Sequence, residues 1–349
     1  MTPSGSRTPT LPTPRTPDPA EAPPLRWGII APGNIAGALA HAVRTHTRQR
    51  LVACGSRSAE RAEAFAREHG IERAYGSYEQ LVADPEVDVV YIASPHSEHR
   101  AQALLAIEAG KHVLIEKSVT RNAAEARAVF DAAREAGVAC LEAMWPRFAP
   151  RYDIVRQLLD DGALGEVETV LADHGQRITA EHAPRLHDPE LAGGALLDLG
   201  VYPVSFAQLV LGSPADVDAR GTLTETGVDR QVTMVLGAPG GAQAALSTTL
   251  AAKTPCAASV SGSAARVELP GVFYSPGIVR LVTAEGDAVE SEQPAITGSE
   301  GLCHQVAHLA QLIADGRTES PLLSPEESVA VMTTMDDVRA QVGVRYPGE

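Results

Sequence analysis

The chain has 349 residues, a formal net charge of -15, 44% hydrophobic residues and only 4% aromatic ones. That length allows two domains, or one large α/β unit with a smaller partner, and the scarcity of aromatics leaves Ala, Val and Leu to build the core. The acidic balance excludes a nucleic-acid partner, which needs a concentrated basic surface, and it repels anions, so a small neutral substrate is expected.

Residues 1–24 are rich in Pro and Thr and have no apolar signal core, so they read as a disordered tail of a cytoplasmic chain. No run reads as long and apolar enough to span a bilayer, so no membrane partner is expected. Cys54, Cys140, Cys256 and Cys303 form no C-x-x-C pair and read as small buried hydrophobes of a reducing compartment. Order is expected from Leu25. Leu25 to Ala31 reads as a buried strand, Pro32-Gly33-Asn34 as a tight turn and Ile35 to Arg44 as an Ala-rich helix. Leu51 to Gly55 is the next strand, and Ser58 caps a helix over Glu60 to Glu68. Strands at Val87 to Ala93, His112 to Glu116 and Val138 to Glu142 then alternate with helices at Glu98 to Ala109 and Asn122 to Ala136. Strands this apolar on both faces, alternating with helices, predict an α/β fold with an N-terminal Rossmann-type, doubly wound parallel sheet over residues 25–145.

Past Met144 the pattern changes. Arg151 to Asp161 reads as a helix, Val167 to Gln176 as a strand and Ala192 to Leu211 as one long helix. Asp216 to Thr224, Val232 to Gly237, Ala242 to Leu250, Ala258 to Leu269 and Val279 to Thr283 alternate between Gly- and Pro-rich turns, as a large, mostly antiparallel sheet does. Leu302 to Ala314 and Pro325 to Val342 close the chain as helices, so residues 146–349 are expected to form a C-terminal α/β domain.

The first turn is the cofactor candidate. A dinucleotide fold needs small residues where backbone approaches pyrophosphate, at a helix N-terminus whose amides favour anions. G-x-G-x-x-G/A reads here as Ala31-x-Gly33-x-x-Ala36, with Asn34 and Ile35 opening the helix. Ala31 in place of the first glycine requires an ordinary negative φ. After the second strand, Ser56-Arg57-Ser58 stands where an NAD enzyme offers a carboxylate to the ribose; a guanidinium grips a 2′-phosphate instead, so NADP is expected. Ser94, His96, His99 and the pair Glu116-Lys117 follow two later strands at the same carboxyl edge, although a lone Lys or His is usually solvated or bonded to a nearby carbonyl. Asp198 and Tyr202 are four apart in an otherwise apolar stretch, where an unpaired carboxylate is costly, so they share one helical face. A tyrosine needs a nearby ammonium to act as a base at neutral pH, and Lys117 across the cleft supplies one.

Together, Trp27 to Ala36, Ser94-Pro95-His96-x-x-His99, Glu116-Lys117 and Gly193 to Tyr202 resemble the Gfo/Idh/MocA oxidoreductases; Glu142 to Phe148 and Leu196 to Pro203 look like that family's branch of dihydrodiol and NADP-linked xylose dehydrogenases. The resemblance implies a nucleotide-binding domain followed by an α/β domain whose open sheet holds substrate on one face and a sister subunit on the other, hence a homodimer or higher homo-oligomer. It implies Lys117 as the lysine touching nicotinamide ribose and substrate, Tyr202 as catalytic acid/base, Asp198 as the group that orients substrate or Tyr202, and Trp145 and Arg147 beside the cofactor cleft. The family's proline after Glu-Lys is Ser118 here, a change expected to loosen the turn that presents the lysine.

The expected reaction moves a hydride between nicotinamide and a hydroxyl-bearing carbon of a sugar, polyol or cyclic trans-diol, with Lys117 depressing the pKa of Tyr202. Substrate contacts are expected from Lys117, Asp198, Tyr202 and, in the loop from Thr179 to Pro189, Arg185. His182 with His187 and His304 with His308 are candidate metal pairs without a third ligand, so no metal is expected. The rival reading is an NADP-binding regulator or scaffold of the same fold without turnover.

Overall fold

In the computed structural model, which describes residues 9–349, the apolar runs of the first half form six parallel strands. They are β1 (Arg26–Ile30), β2 (Arg50–Gly55), β3 (Arg73–Tyr75), β4 (Val89–Ile92), β5 (His112–Glu116) and β6 (Cys140–Ala143), in the order β3-β2-β1-β4-β5-β6. Helices α1 (Asn34–His46), α2 (Ala59–His69), α3 (Tyr78–Val82), α4 (His96–Glu108) and α5 (Ala123–Ala136) connect them. Every residue of β4 is buried, because helices cover both faces. Ser58 caps α2 by accepting from the Arg61 amide, and α5 ends at Gly137 in the left-handed region. The strand order reverses between β1 and β4, which opens a crevice at the carboxyl ends of the strands.

The second half holds α6 (Pro150–Asp160), β7 (Val167–Gly175), α7 (Val201–Leu211), β8 (Asp216–Leu223), β9 (Asp229–Gly237), β10 (Gln243–Thr249), β11 (Ala258–Gly262), β12 (Ala265–Leu269), β13 (Arg280–Thr283), β14 (Ala288–Glu290), α8 (Cys303–Ala314) and α9 (Pro325–Val342). The eight strands run β14-β13-β12-β11-β7-β10-β9-β8; β7 and β10 pair in parallel and the other neighbours antiparallel. Burial alternates along β10, so one face meets the core and the other is open, carrying Leu171 and Val235 in exposed positions.

The structure corrects several expectations. β3 and α3 escape a reading by apolar run because they are only three and five residues long. The stretch from Ala258 to Leu269 is a hairpin of two strands. The long helix is interrupted: Leu196–Gly200 is a π turn that leads into α7, and Pro203 has no N–H to continue a regular ladder. The segment Pro189–Leu211 is in fact long and apolar enough to cross a membrane by composition, but 78% of its most apolar window is buried inside the protein as a core helix. The expected disordered tail is also revised. Residues 1–8 lie outside the described residues, but Arg15 holds the Asp153 carboxylate on α6 with its backbone amide at 2.6 Å and its guanidinium at 2.9 Å. Gln157 donates to the Thr13 carbonyl and Gln49 to that of Pro23, so residues 13–23 strap α6 to the start of β2.

Candidate active site

The β1–α1 turn meets the requirements of a dinucleotide site. α1 begins after Gly33 with no side-chain cap, which leaves its first amides free for an anion. A Cβ on Gly33 would meet nothing nearer than the Ala31 carbonyl at 4.0 Å, so the turn is open to a ligand, and Asn34 and Ile35 are exposed beside it. These features fit a bound pyrophosphate. Ala31, however, has φ 59, in the left-handed region, so the expectation of an ordinary negative φ is overturned; a Cβ there costs about 1 kcal/mol. At the end of β2, Ser56 is buried and accepts the Ser58 amide, while Arg57 is exposed near Tyr78.

The opposite wall is assembled from side chains. Lys117 leaves the end of β5 and donates to the Asp198 carbonyl at 2.7 Å, with Nζ 3.5 Å from the Asp198 carboxylate and 5.2 Å from the Tyr202 ring centre. The Ser118 hydroxyl donates to the Leu197 carbonyl at 2.9 Å, His174 Nδ1 to that of Leu199 at 3.1 Å and Thr248 to that of Ala195 at 3.3 Å. The carbonyls of the π turn and of Ala195 before it are thus taken by side chains from the two residues after β5, from β7 and from β10. Ser118, expected to loosen the lysine turn, ties it down instead. Gly193 and Gly194 let the chain enter this turn: a Cβ on Gly193 would lie 2.6 Å from the Leu186 carbonyl, and Gly194 has φ 113 against Asp229. Asp229 in turn accepts the Leu196 amide at 2.6 Å.

Asp198 sits among cations. Burial alone would push its carboxyl up, but the Lys117 and Arg185 charges outweigh burial and hold it well below the usual carboxylate range. Arg185 reaches it from the 184–187 turn at 3.2 Å and is otherwise half-exposed. The Tyr202 hydroxyl accepts from Trp145 Nε1 at 3.0 Å, and its ring stacks on Tyr274 at 4.3 Å. Burial, then the Glu116 charge, push Tyr202 well above the ordinary tyrosine value. The expectation that Lys117 lowers the Tyr202 pKa is therefore not met: burial and Glu116 raise it, with the ammonium 5.2 Å from the ring centre.

Other expected residues divide. His96 Nδ1 donates to the Ala192 carbonyl at 3.0 Å, and burial pushes the ring down to about 3, which keeps it neutral. His99 is fully buried, with Nδ1 2.9 Å from the Ser118 carbonyl and Nε2 2.9 Å from that of Ser94. The ring lies between the two turns, and because burial favours its neutral form it donates to only one of these carbonyls at a time. Arg147 is 2% exposed, and its guanidinium is held by the Leu322 and Ser205 carbonyls and by Glu327. Glu116 is buried, accepts from Tyr91 at 2.5 Å and is raised by burial. Among the described residues no cluster of three metal-ligating side chains forms.

Tyr91, Glu142, His174 and Tyr274 were not singled out by sequence. Glu142 accepts the Val119 amide at 3.1 Å and the Ser328 hydroxyl at 2.7 Å, pinning the lysine turn to α9, and burial pushes it up to about 7. A polar residue inside an apolar strand run was the available signal for Tyr91 and Glu142; His174 and Tyr274 carry none.

Residues 25–144 match the description "Oxidoreductase family, NAD-binding Rossmann fold" (GFO_IDH_MocA), and residues 152–268 match "GFO/IDH/MocA C-terminal domain". The trans-1,2-dihydrobenzene-1,2-diol dehydrogenase of Xenopus laevis is 37% identical over 329 residues, covering 92% of this chain and 99% of its own; that of Homo sapiens is 35% identical over 333 residues, covering 93% and 98%. Among solved structures, the 3-ketoreductase KijD10 of Actinomadura kijaniata, in complex with NADP and TDP-benzene, superposes with TM-score 0.79 at 29% identity, covering 92% and 98% of the two chains. The aldose–aldose oxidoreductase of Caulobacter crescentus, complexed with glycerol, does so with TM-score 0.81 at 26% identity and the same coverage. The chain belongs to the GFO/IDH/MocA family and is an NAD(P)-binding oxidoreductase.

Proposed function

We propose that the protein is an NADP-dependent dehydrogenase or reductase that interconverts a hydroxyl and a carbonyl on a sugar, polyol or cyclic trans-diol. The observation that carries this reading is the partly buried Lys117 ammonium between the Asp198 carboxylate and the Tyr202 ring, beyond the end of β5. The dihydrodiol and aldose relatives supply the substrate class, and Ser56-Arg57-Ser58 in place of a carboxylate at the end of β2 supports NADP. Bound NADP supplies the hydride acceptor or donor. Residues 25–145 serve as the nucleotide-binding unit and residues 146–349 as the substrate-binding and oligomerisation unit. The open sheet face with Leu171 and Val235 suits a homodimer or higher homo-oligomer, and four free buried cysteines suit a cytoplasmic chain.

The reacting oxygen lies against Tyr202 and Lys117. With its pKa raised, Tyr202 carries its proton and gives it to the carbonyl oxygen in reduction, while Trp145 holds the phenol oxygen in place. Lys117 stabilises the negative charge that develops on that oxygen, and Asp198 with Arg185 fixes the ammonium and binds a substrate hydroxyl. In oxidation Tyr202 takes the proton back. Because its phenolate is scarce at neutral pH, the oxidative rate is expected to keep climbing with pH through the alkaline range, read from kcat across pH 7 to 10. A plateau near neutrality rules Tyr202 out as the base.

The deciding experiment is steady-state NADP reduction with trans-dihydrodiols, D-xylose, D-glucose and myo-inositol, with NAD as control. Turnover with NADP on a member of the panel is expected. Tight NADP binding without turnover on any of them favours the regulator reading and removes the role given to Tyr202.

A further inference from the structure

A cavity of about 440 Å³ lies beneath the N-terminal strap, and neither Lys117 nor Tyr202 lines it. Its roof is Arg15, Pro17 and Ala22, all before residue 25, where the family match begins. Its floor is Phe148, Ala307 and Leu322, with Asp153, Arg156, His304, His308 and Gln311 as the polar groups there.

Arg156 is short of partners. Its side chain is only 14% exposed, yet it makes a single hydrogen bond, to the Arg147 carbonyl at 2.8 Å. Its nearest carboxylate, Asp153, stands 3.7 Å away and is already held by Arg15 and Gln157. Arg156 Nε and His304 Nδ1 are buried without partners among the described residues. Burial pushes Arg156 down to about 10, which leaves it charged at neutral pH. Burial pushes both His304 and His308 down to about 4, so they add no positive charge. His308 is also held by Ser320 at 2.8 Å and stacked on Phe148 at 4.9 Å. The charged groups facing the cavity are Arg15, Asp18, Glu21, Asp153 and Arg156. Asp18, which caps the strap's short helix Pro19–Glu21, and Glu21 are both exposed, so water screens their carboxylates, and Arg15 is neutralised by Asp153. What remains is an apolar chamber of ligand size with one under-bonded cation in its wall.

We propose that this cavity is a second ligand site, separate from the catalytic cleft, for a small monocarboxylate with an apolar body. The carboxylate pairs with the Arg156 guanidinium, and the hydrocarbon body lies between Phe148, Ala307 and Leu322 under the strap. Phe148 ends the same short helix, Trp145–Phe148, whose Trp145 holds the Tyr202 hydroxyl, so the site abuts the active-site wall.

Calorimetric titration of the full-length protein, free of NADP, tests this with hydrocinnamate as the carboxylate probe and hydrocinnamyl alcohol as its uncharged counterpart. One hydrocinnamate per chain is expected, with the alcohol and the Arg156→Gln variant each roughly tenfold weaker. Ala307→Phe fills the chamber without touching the charge and is expected to abolish binding, so the test stands even where Arg156→Gln does not fold. Lys117→Ala is expected to retain the affinity. The proposal is overturned by equal affinity for acid and alcohol, by binding that survives Ala307→Phe, by loss of binding in Lys117→Ala, or by no binding of hydrocinnamate at millimolar concentration.

Discussion

The two walls of the cleft are built in different ways. On the nucleotide side, backbone does the work: a strand end, a short turn and the uncapped amides of α1 form the site within a few consecutive residues. On the opposite side, a π turn and the residue before it have their carbonyls taken by Ser118, Lys117, His174 and Thr248, which come from positions up to 131 residues apart in the chain. The first wall tolerates local change because its geometry is set by neighbours in sequence. The second is cooperative, since each donor both positions itself and satisfies a buried acceptor.

The comparison is sharpened first at Tyr202, where the largest effect is expected. Tyr202→Phe removes the proton and Trp145's acceptor together, and kcat is expected to fall on the order of a hundredfold or more while the Kd for NADP holds. Unchanged turnover means that the substrate wall does not carry the proton.

Glu142 tests whether that wall strains the fold. Its carboxyl is raised to about 7 in the folded protein, above its ordinary value, so the folded state binds more protons than the unfolded chain in the acidic range. The contribution to stability is full below the unfolded pKa and is lost as pH rises through about 7. Glu142→Gln, which keeps an acceptor for Val119 and a donor for Ser328, is expected to flatten this slope by roughly 3 kcal/mol between pH 4 and 8, read from urea midpoints. Parallel wild-type and variant profiles place the pH dependence elsewhere.

The nucleotide wall should respond more gently. Arg57→Ala is expected to weaken NADP roughly tenfold and leave NAD nearly unchanged, as measured by fluorescence titration of both. Equal losses for the two cofactors remove Arg57 from the 2′-phosphate. The smallest effect is expected at Ala31, where Ala31→Gly relieves a left-handed Cβ worth about 1 kcal/mol and raises the melting temperature by roughly 2 °C. A lower melting temperature means that the side chain's packing outweighs its strain.

Much of the nucleotide wall was legible because it is local. Apolar runs, the turn at Gly33 and the Ser58 cap follow from adjacent residues, and the alternation of strands and helices is enough to place Lys117 at a sheet edge. The φ of Ala31 was not legible, since it depends on how β1 hands the chain to α1. Asp198 and Tyr202 stood out as polar residues in an apolar stretch. Their environment did not: the same spacing is compatible with Lys117 meeting the hydroxyl or the ring. The partners of Arg147 and His99 were not legible for a related reason, because a charged or titratable residue in a suggestive segment meets carbonyls that only the folded chain brings to it. The Pro- and Thr-rich start misled in the opposite direction, since one arginine meeting one aspartate on α6 is enough to lay it down.

By itself, then, the sequence determined the α/β architecture, the sheet edge at which Lys117 stands and the polar pair Asp198 and Tyr202 within an apolar stretch, because period and polarity along the chain record which faces are buried. Only the tertiary structure decided the protonation of Tyr202, the anchoring of the π turn and the chamber beneath the strap. Each of these depends on desolvation and on partners distant in sequence, and neither leaves a mark in the spacing of residues.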